Sequence, residues 1–215
     1  MIISFRHRFI FIAIPKTATH AFRNALRPCL VPNDWEQCNL FERKTFPVKP
    51  LAQISHGHLT YREVQPFLLP QIEKEFFKFC TVRNPYDRFV SASYFINREN
   101  EFMRADPLSA MKKIIQDRKT KQEILFRPQH EFVTDHKGCL AVDYVCKFET
   151  LQKDFDFVCR KIQLSSTPLQ SVNVTGLPSQ KNNYDEELRG MVEDFYQKDF
   201  DLFNYPTNLK TAPVM

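Results

Sequence analysis

Short apolar runs alternate with stretches of helical periodicity along this chain. Residues 9–14 (FIFIAI), 77–82 (FKFCTV) and 140–148 (LAVDYVCKF) are rich in β-branched and aromatic residues, which favours buried strands. Helical spacing of apolar positions covers about 18–26, 60–69, 85–98, 106–125, 149–162 and 185–203. This alternation predicts a three-layer α/β fold, in which a central, mainly parallel sheet has helices on both faces.

Local signals place some of the helix ends. Thr60 with Glu63 three residues later forms a capping-box pattern, and Pro85 suits the first turn of the helix that follows the second strand. A break is expected near Lys119. The stretches 28–50 and 163–183 carry prolines or polar residues without a clear period, so they are predicted to be loops.

A length of 215 residues predicts one globular domain over residues 1–215, or at most two small ones. The chain is 43% hydrophobic and 26% charged, and its 21 Phe against one Trp point to a phenylalanine-rich core. A net charge of +5 suits an anionic ligand without requiring one, and the basic cluster 118–121 fits a solvated helix face. Because the aromatics fall in core patterns, a nucleic-acid surface of interleaved basic and aromatic residues is not expected.

The compartment is expected to be cytoplasmic. No apolar run is long enough to span a membrane, and the run 9–14 is followed by Pro15-Lys16-Thr17 and not by a signal-peptidase pattern. The six cysteines are widely spaced and form no C-x-x-C pair, which favours free thiols in a reducing compartment. Their even number leaves disulfides open.

The segment after the first strand suits anion binding. It runs Pro15-Lys16-Thr17-Ala18-Thr19-His20-Ala21. Lys16 supplies a positive charge, and Thr17 and Thr19 supply hydroxyl donors where the predicted helix begins. The segment contains no glycine, so the G-x-x-x-x-G-K-[ST] pattern of a P-loop does not match, and a wide wrap around a triphosphate is not expected.

A second polar segment follows the second strand. Arg83 lies at the strand end, and Ser91 comes about two helical turns after Pro85. A guanidinium and a hydroxyl so placed can hold one phosphate, since Arg offers bidentate geometry and ligands of such sheets bind at the carboxyl ends of strands. Either segment alone also fits a plain turn or a surface ion pair; their order and context make the pair specific.

The two segments together resemble the nucleotide-binding elements of sulfotransferases that use 3′-phosphoadenosine 5′-phosphosulfate (PAPS). That family has a P-K-T-G-T-T-like loop for the 5′-phosphosulfate and an R-[DN]-P-x-x-R-x-x-S-like segment for the 3′-phosphate. The corresponding segments here are IPKTATHAF and VRNPYDRFVSASY. Residues 147–155 (KFETLQKDF) and 196–205 (YQKDFDLFNY) are similar to further family segments, the latter to an ending common in the carbohydrate branch.

This resemblance implies a nucleotide-binding site, PAPS as the sulfuryl donor, and no metal ion. The implied nucleotide-binding residues are Lys16, Thr17, Ala18, Thr19, His20, Ala21, Arg83 and Ser91. Two of them depart from the pattern, because Ala18 replaces the usual glycine and His20 replaces Thr or Ser. Alanine does not easily take a positive φ, so the loop is expected to use ordinary dihedral angles if the resemblance holds. His20 can still donate a hydrogen bond to an anion.

A candidate general base lies between the two segments. His56-Gly57-His58 puts two imidazoles close together, and a histidine has a pKa suited to taking a hydroxyl proton near neutrality. The segment resembles an H-G-H stretch of the uronyl 2-O-sulfotransferases, which implies His58 as base and His56 as a supporting group. Structural histidines and a metal site are the alternatives, although no other ligand stands at a telling spacing.

The resemblance implies direct in-line transfer of a sulfuryl group from PAPS to a hydroxyl acceptor, a carbohydrate by preference. Lys16 would neutralise the leaving oxygen, and PAP, the desulfated nucleotide, would be the product. A phosphotransferase with a degenerate P-loop is an alternative, although it would need a strand-terminal carboxylate for magnesium, and Asp143 lies within a strand pattern. An inactive PAP-binding protein is another, because Ala18 and His20 depart from the usual loop.

Further polar residues have weaker assignments. The segment around Gln129 and His130 resembles a P-Q-x-x-F stretch that faces the acceptor, although a plain helix start fits as well. A loop holding Asn173, Lys181 and Asn183 is where the family often closes over the nucleotide. Helical spacing instead indicates core packing for Tyr196, Phe200, Phe203 and Tyr205. Asp199 beside them is expected to pair with a basic group that the sequence does not identify.

Overall fold

The structure is a computed structural model that describes residues 1–37, 46–54, 56–170 and 184–207, without the side chain of Lys121. The chain forms two compact units. Unit 1 comprises Met1–Val82 and Glu131–Asn173, and unit 2 comprises Arg83–His130 and Val174–Met215. The single domain expected over residues 1–215 stays a prediction.

Unit 1 is built on a five-stranded mixed sheet of order β3-β1-β2-β4-β5. The strands are β1 Ile2–Ser4, β2 Phe9–Ile12, β3 Trp35–Glu36, β4 Phe77–Val82 and β5 Tyr144–Lys147. The pairs β2–β4 and β4–β5 are parallel, whereas β1 pairs antiparallel with both β2 and β3. The three strands predicted from apolar runs therefore form the parallel half of the sheet.

The predicted α/β class is confirmed, with an antiparallel edge that the apolar runs did not indicate. Every residue of β2 is buried, as a strand covered on both faces requires. On one face the register sets Phe11 opposite Phe79, and their rings stack at 5.2 Å. Phe22 and Phe155 complete this phenylalanine cluster, with ring centroids 5.0 Å apart. Each such buried ring contributes roughly 2–3 kcal/mol, so the cluster fixes the sheet against its helices.

The helices follow most of the predicted periodicity. They are α1 Thr19–Leu26, α2 Lys49–Ala52, α3 Tyr61–Val64, α4 Pro70–Glu75, α5 Pro85–Ile96, α6 Glu101–Ala105, α7 Pro107–Gln116, α8 His130–Val133, α9 Leu151–Lys161 and α10 Glu186–Leu202. The capping box is present, because the Thr60 hydroxyl accepts from the N–H of Glu63 and the Glu63 carboxylate accepts from the N–H of Thr60. The prediction of a single helix over 60–69 was wrong, because α3 ends at Val64 and a 3-10 turn that contains Pro66 follows.

Unit 2 is helical and has its own core. Tyr86, Phe89, Met111, Val192 and Phe200 are buried together between α5, α7 and α10. The core assignment of the aromatic residues in α10 is confirmed for Tyr196, Phe200 and Phe203, all of which are buried, and Tyr205 packs against the cluster half-buried. The helix predicted over 106–125 ends at Gln116, because Asp117 leaves the helical region and a 3-10 turn occupies 120–122.

Candidate active site

The turn that joins β2 to α1 has an unusual backbone. Lys16 has φ 66° and Ala18 has φ 64° and ψ 28°, so two non-glycine residues lie in the left-handed region on either side of Thr17. The expectation of ordinary dihedral angles at Ala18 was wrong. Such conformations cost about 1–2 kcal/mol each for residues with a Cβ, and they concentrate at functional sites.

Thr17 is the anchor of this turn. Its side chain is fully buried, its hydroxyl donates to the carbonyl of Ile14 at 2.9 Å, and it lies 2.7 Å from the hydroxyl of Thr81 on β4. Because the one hydroxyl proton of Thr17 goes to Ile14, Thr81 is the donor in the second bond. The Thr17 hydroxyl is therefore engaged inside the protein, and its backbone N–H is the group left to contact an anion.

The start of α1 favours negative charge. The first turn of a helix carries an excess of N–H groups and a partial positive charge, and the N-cap residue Ala18 has no side-chain oxygen that could cap it. Lys16 is half-buried and His20 is exposed, so both side chains reach solvent near this end of the helix. Thr19 and Ala21, by contrast, are almost completely buried.

His58 lies against the strand end that leads into this turn. Its Nδ1 is 2.8 Å from the carbonyl oxygen of Ala13, so Nδ1 carries the proton and Nε2 carries the lone pair. Burial holds the pKa of His58 well below its ordinary value of 6.5, opposed by the bond to Ala13 and aided by the nearby positive charge of Arg23. At neutral pH His58 is thus a neutral imidazole with Nε2 as its basic atom.

His56 has the opposite tautomer. Its Nδ1 accepts from the backbone N–H of His58 at 3.3 Å, so its proton is on Nε2 when the ring is neutral. The two rings are 6.2 Å apart and tilted by 33°. The two neutral rings therefore differ in the nitrogen that carries the proton, and their roles as base and supporting group stay predictions.

The second predicted segment lies in unit 2. Arg83 is half-buried directly after β4, Asn84 caps α5 by accepting from the N–H of Tyr86 at 3.0 Å, and Ser91 is nearly buried two turns along α5. Arg88, the other arginine of this motif, is fully buried and donates to the carbonyls of Leu125 and Arg127. Arg88 therefore holds the protein together, which leaves Arg83 as the accessible guanidinium of the motif.

Gln129 fixes the backbone of Arg83. Its Oε1 accepts from the N–H of Arg83 and its Nε2 donates to the carbonyl of Arg83, both at 2.9 Å, and its side chain has no solvent exposure. An acceptor contact by Gln129 stays a prediction that this geometry does not favour, since both ends of the amide are engaged. His130 is half-buried, and its contact with an acceptor also stays a prediction.

Asp199 is the residue whose partner the sequence left open. Its fully buried carboxylate accepts from the N–H groups of Gln129 and His130 and lies 2.8 Å from Nδ1 of His130. The predicted basic partner is therefore His130. In the sequence, Asp199 stands out only as part of the family-like segment 196–205. The fold shows that it supports Gln129 and, through Gln129, the backbone of Arg83.

Other expected site residues are described only in part. Asn173, Lys181 and Asn183 lie outside the described residues. Among the residues that the structure describes, no group of three or more His, Cys, Asp or Glu side chains is arranged to hold a metal. No helix in the same ranges is long and apolar enough to cross a membrane. The described cysteines, which exclude Cys38, are free thiols.

Comparison with known proteins agrees with the strand-end motifs. The model of the sulfotransferase family matches residues 1–206, so the chain belongs to the sulfotransferase family. Sulfuryl transfer is accordingly its class of reaction. Neither curated proteins nor solved structures gave a match at the significance required.

Proposed function

We propose that the protein transfers a sulfuryl group from PAPS to a hydroxyl acceptor, with a carbohydrate as the preferred acceptor class. The observation that carries the proposal is the turn 14–19: left-handed Lys16 and Ala18 enclose a buried Thr17 at the start of α1. Backbone N–H groups of such a turn and helix start suit a phosphate or sulfate oxygen, and Lys16 adds a full positive charge. These residues fit the sulfuryl end of the nucleotide.

The second segment is proposed to hold the 3′-phosphate. Arg83 has the fork geometry that phosphate recognition uses, and its backbone is fixed by Gln129. Ser91, which is 8% exposed, is the matching hydroxyl on α5.

His58 is proposed as the general base. PAPS, when bound, supplies the sulfuryl group, which an acceptor oxygen takes in line with the departing phosphate. His58 Nε2 accepts the hydroxyl proton of the acceptor, while the bond from Nδ1 to Ala13 keeps the imidazole in the required tautomer. Lys16 offsets the charge that accumulates on the phosphate, a kind of contribution worth roughly 3–4 kcal/mol. The carbohydrate preference rests on the resemblance of residues 196–205 to the carbohydrate branch.

The test is a transfer assay with labelled PAPS and a panel of carbohydrate and other hydroxyl acceptors. We expect His58→Ala to lower kcat by about 10²-fold or more, because general base catalysis contributes 10²–10⁴-fold. The same variant should bind PAP as the wild type does. His136→Ala is the matched control, because His136 is exposed and should leave kcat unchanged. A near-normal kcat for His58→Ala would refute the assignment of the base.

A further inference from the structure

The segment that carries both histidines is tied to helix α1 by one buried arginine. Arg23 is only 4% exposed, and its Nη2 donates to the carbonyl of Gly57 at 2.5 Å and to the carbonyl of Gln37 at 2.9 Å. Gly57 stands between His56 and His58 in the sequence. The hydrogen bond therefore acts on the peptide that separates the two imidazoles.

Gly57 allows this approach because it has no side chain. A Cβ at position 57 would lie 2.9 Å from Nη1 and 3.0 Å from Nη2 of Arg23, and 3.1 Å from the carbonyl oxygen of Gln37. Real Cβ atoms essentially never come closer than about 3 Å to another heavy atom, so any larger residue would displace the guanidinium. Arg23 and Gly57 thus form a matched pair.

We propose that Arg23 is a positioning residue, which holds the His56–His58 segment against α1 through the carbonyl of Gly57 and so fixes the direction of the His58 imidazole. The inference rests on the proposed function, since it gives a reason for the geometry of the proposed base. Two restraints then define the ring: Ala13 holds Nδ1 from the end of β2, and Arg23 holds the preceding peptide from α1.

Arg23 also acts on the charge of the base. The charged or titratable groups that face His58 are Arg23 on α1, the amino group of Met1 and the imidazole of His56, and each of them lowers the pKa of His58. The amino group of Met1 shares the Gly57 carbonyl with Arg23, at 3.1 Å. A buried cation beside a histidine disfavours the imidazolium, so removing Arg23 should raise the pKa of His58.

The deciding experiment follows the His58 ring by NMR titration in the nucleotide-free protein, together with kcat and the KM for PAPS. Arg23→Met is the principal variant. We expect the pKa of His58 to rise by about half a unit or more and kcat to fall about tenfold, with little change in the KM for PAPS. Arg27→Met is the control, because Arg27 is the residue that follows α1 and pairs with Glu36; it should change neither quantity.

Two further variants keep the inference open to refutation if Arg23→Met fails to fold. Arg23→Lys retains the charge but loses the planar fork, so kcat should fall while the pKa stays low. Gly57→Ala displaces the guanidinium without removing its charge, so kcat should fall while the pKa stays low, as in Arg23→Lys. A His58 titration and a kcat unchanged from the wild type in folded Arg23→Met, or an unchanged kcat in folded Gly57→Ala, would overturn the inference. Because the titration needs no substrate, failure to find sulfuryl transfer would count against the proposed function alone.

Discussion

The turn after β2 and the segment after β4 are positioned by different physical means. In the turn, the backbone itself is shaped, with left-handed Lys16 and Ala18 held around the buried hydroxyl of Thr17. In the segment after β4, the backbone of Arg83 is held by the side-chain amide of Gln129. The turn is held by a hydroxyl of its own, which bonds to nearby Ile14 and to Thr81, whereas the backbone of Arg83 is held by a side chain from outside its segment.

This difference explains how each motif tolerates change. The turn accepts alanine where a glycine is usual, because the bonds of Thr17 to Ile14 and Thr81 determine the backbone regardless of the strain. The Arg83 segment matches its motif almost completely, yet its geometry rests on Gln129 and Asp199, which the motif does not contain. A motif match therefore does not reveal which residues outside the motif hold its backbone in place.

The largest effect is expected when the hydrogen bonds between Gln129 and Arg83 are removed. Gln129→Leu removes both hydrogen bonds between the buried amide of Gln129 and the backbone of the half-buried Arg83. We expect the free energy of unfolding to fall by about 2–3 kcal/mol and PAP affinity to fall about tenfold. Urea denaturation and calorimetry measure the two effects, with the exposed Gln122→Leu as control. Unchanged PAP affinity in folded Gln129→Leu would separate Gln129 from the Arg83 site.

An effect of intermediate size is expected in the pH dependence of the free energy of unfolding, through His58. The pKa of His58 is below 6.5 in the folded protein, so below pH 6.5 the unfolded chain binds a proton that the folded protein does not. The contribution of His58 to stability is therefore complete above pH 6.5 and is lost as the pH falls, by up to about 1.4 kcal/mol per pH unit. Denaturation at pH 7, 6 and 5 should show a shallower acid loss in His58→Asn than in wild type. An identical pH dependence in the two proteins would contradict the low pKa.

The smallest effect is expected from relief of the backbone strain at Ala18, in the turn after β2. Ala18→Gly removes the left-handed strain but adds freedom to the unfolded chain, so it should raise the free energy of unfolding by about 0.5 kcal/mol. The matched change Ala25→Gly, inside α1, should instead lower it by about 1 kcal/mol. If both substitutions destabilised the protein equally, the left-handed conformation of Ala18 would be wrong.

The sequence predicted what depends on local pattern. The boundaries of β4 and the start of α5 agree with the prediction, because an apolar run and an Asn84-Pro85 start are local signals. Strand β1 was missed, since the two isoleucines and the serine of Ile2–Ser4 are too few to show a distinctive period. The helix break after Val64 shows a proline overriding an apolar pattern.

The candidate site divides in the same way. Lys16, His58 and Arg83 were predicted from residue type and spacing, but the internal use of the Thr17 hydroxyl depends on Thr81, which lies 64 positions away. A left-handed Ala18 is not expected from the sequence, because the energetic cost of that conformation is known whereas the hydrogen bonds that hold the turn are not visible in a sequence. Asp199 required the fold for the same reason.

The central claim of the proposed function is that Arg83 binds the 3′-phosphate of the nucleotide. Calorimetric titration with PAP tests it most directly, with ATP and Mg²⁺ for comparison. We predict micromolar binding of PAP, weakened at least tenfold in Arg83→Ala, and no comparable binding of ATP. PAP binding that is equal in Arg83→Ala and wild type, or ATP binding without PAP binding, would contradict the claim, and the latter would favour a phosphotransferase.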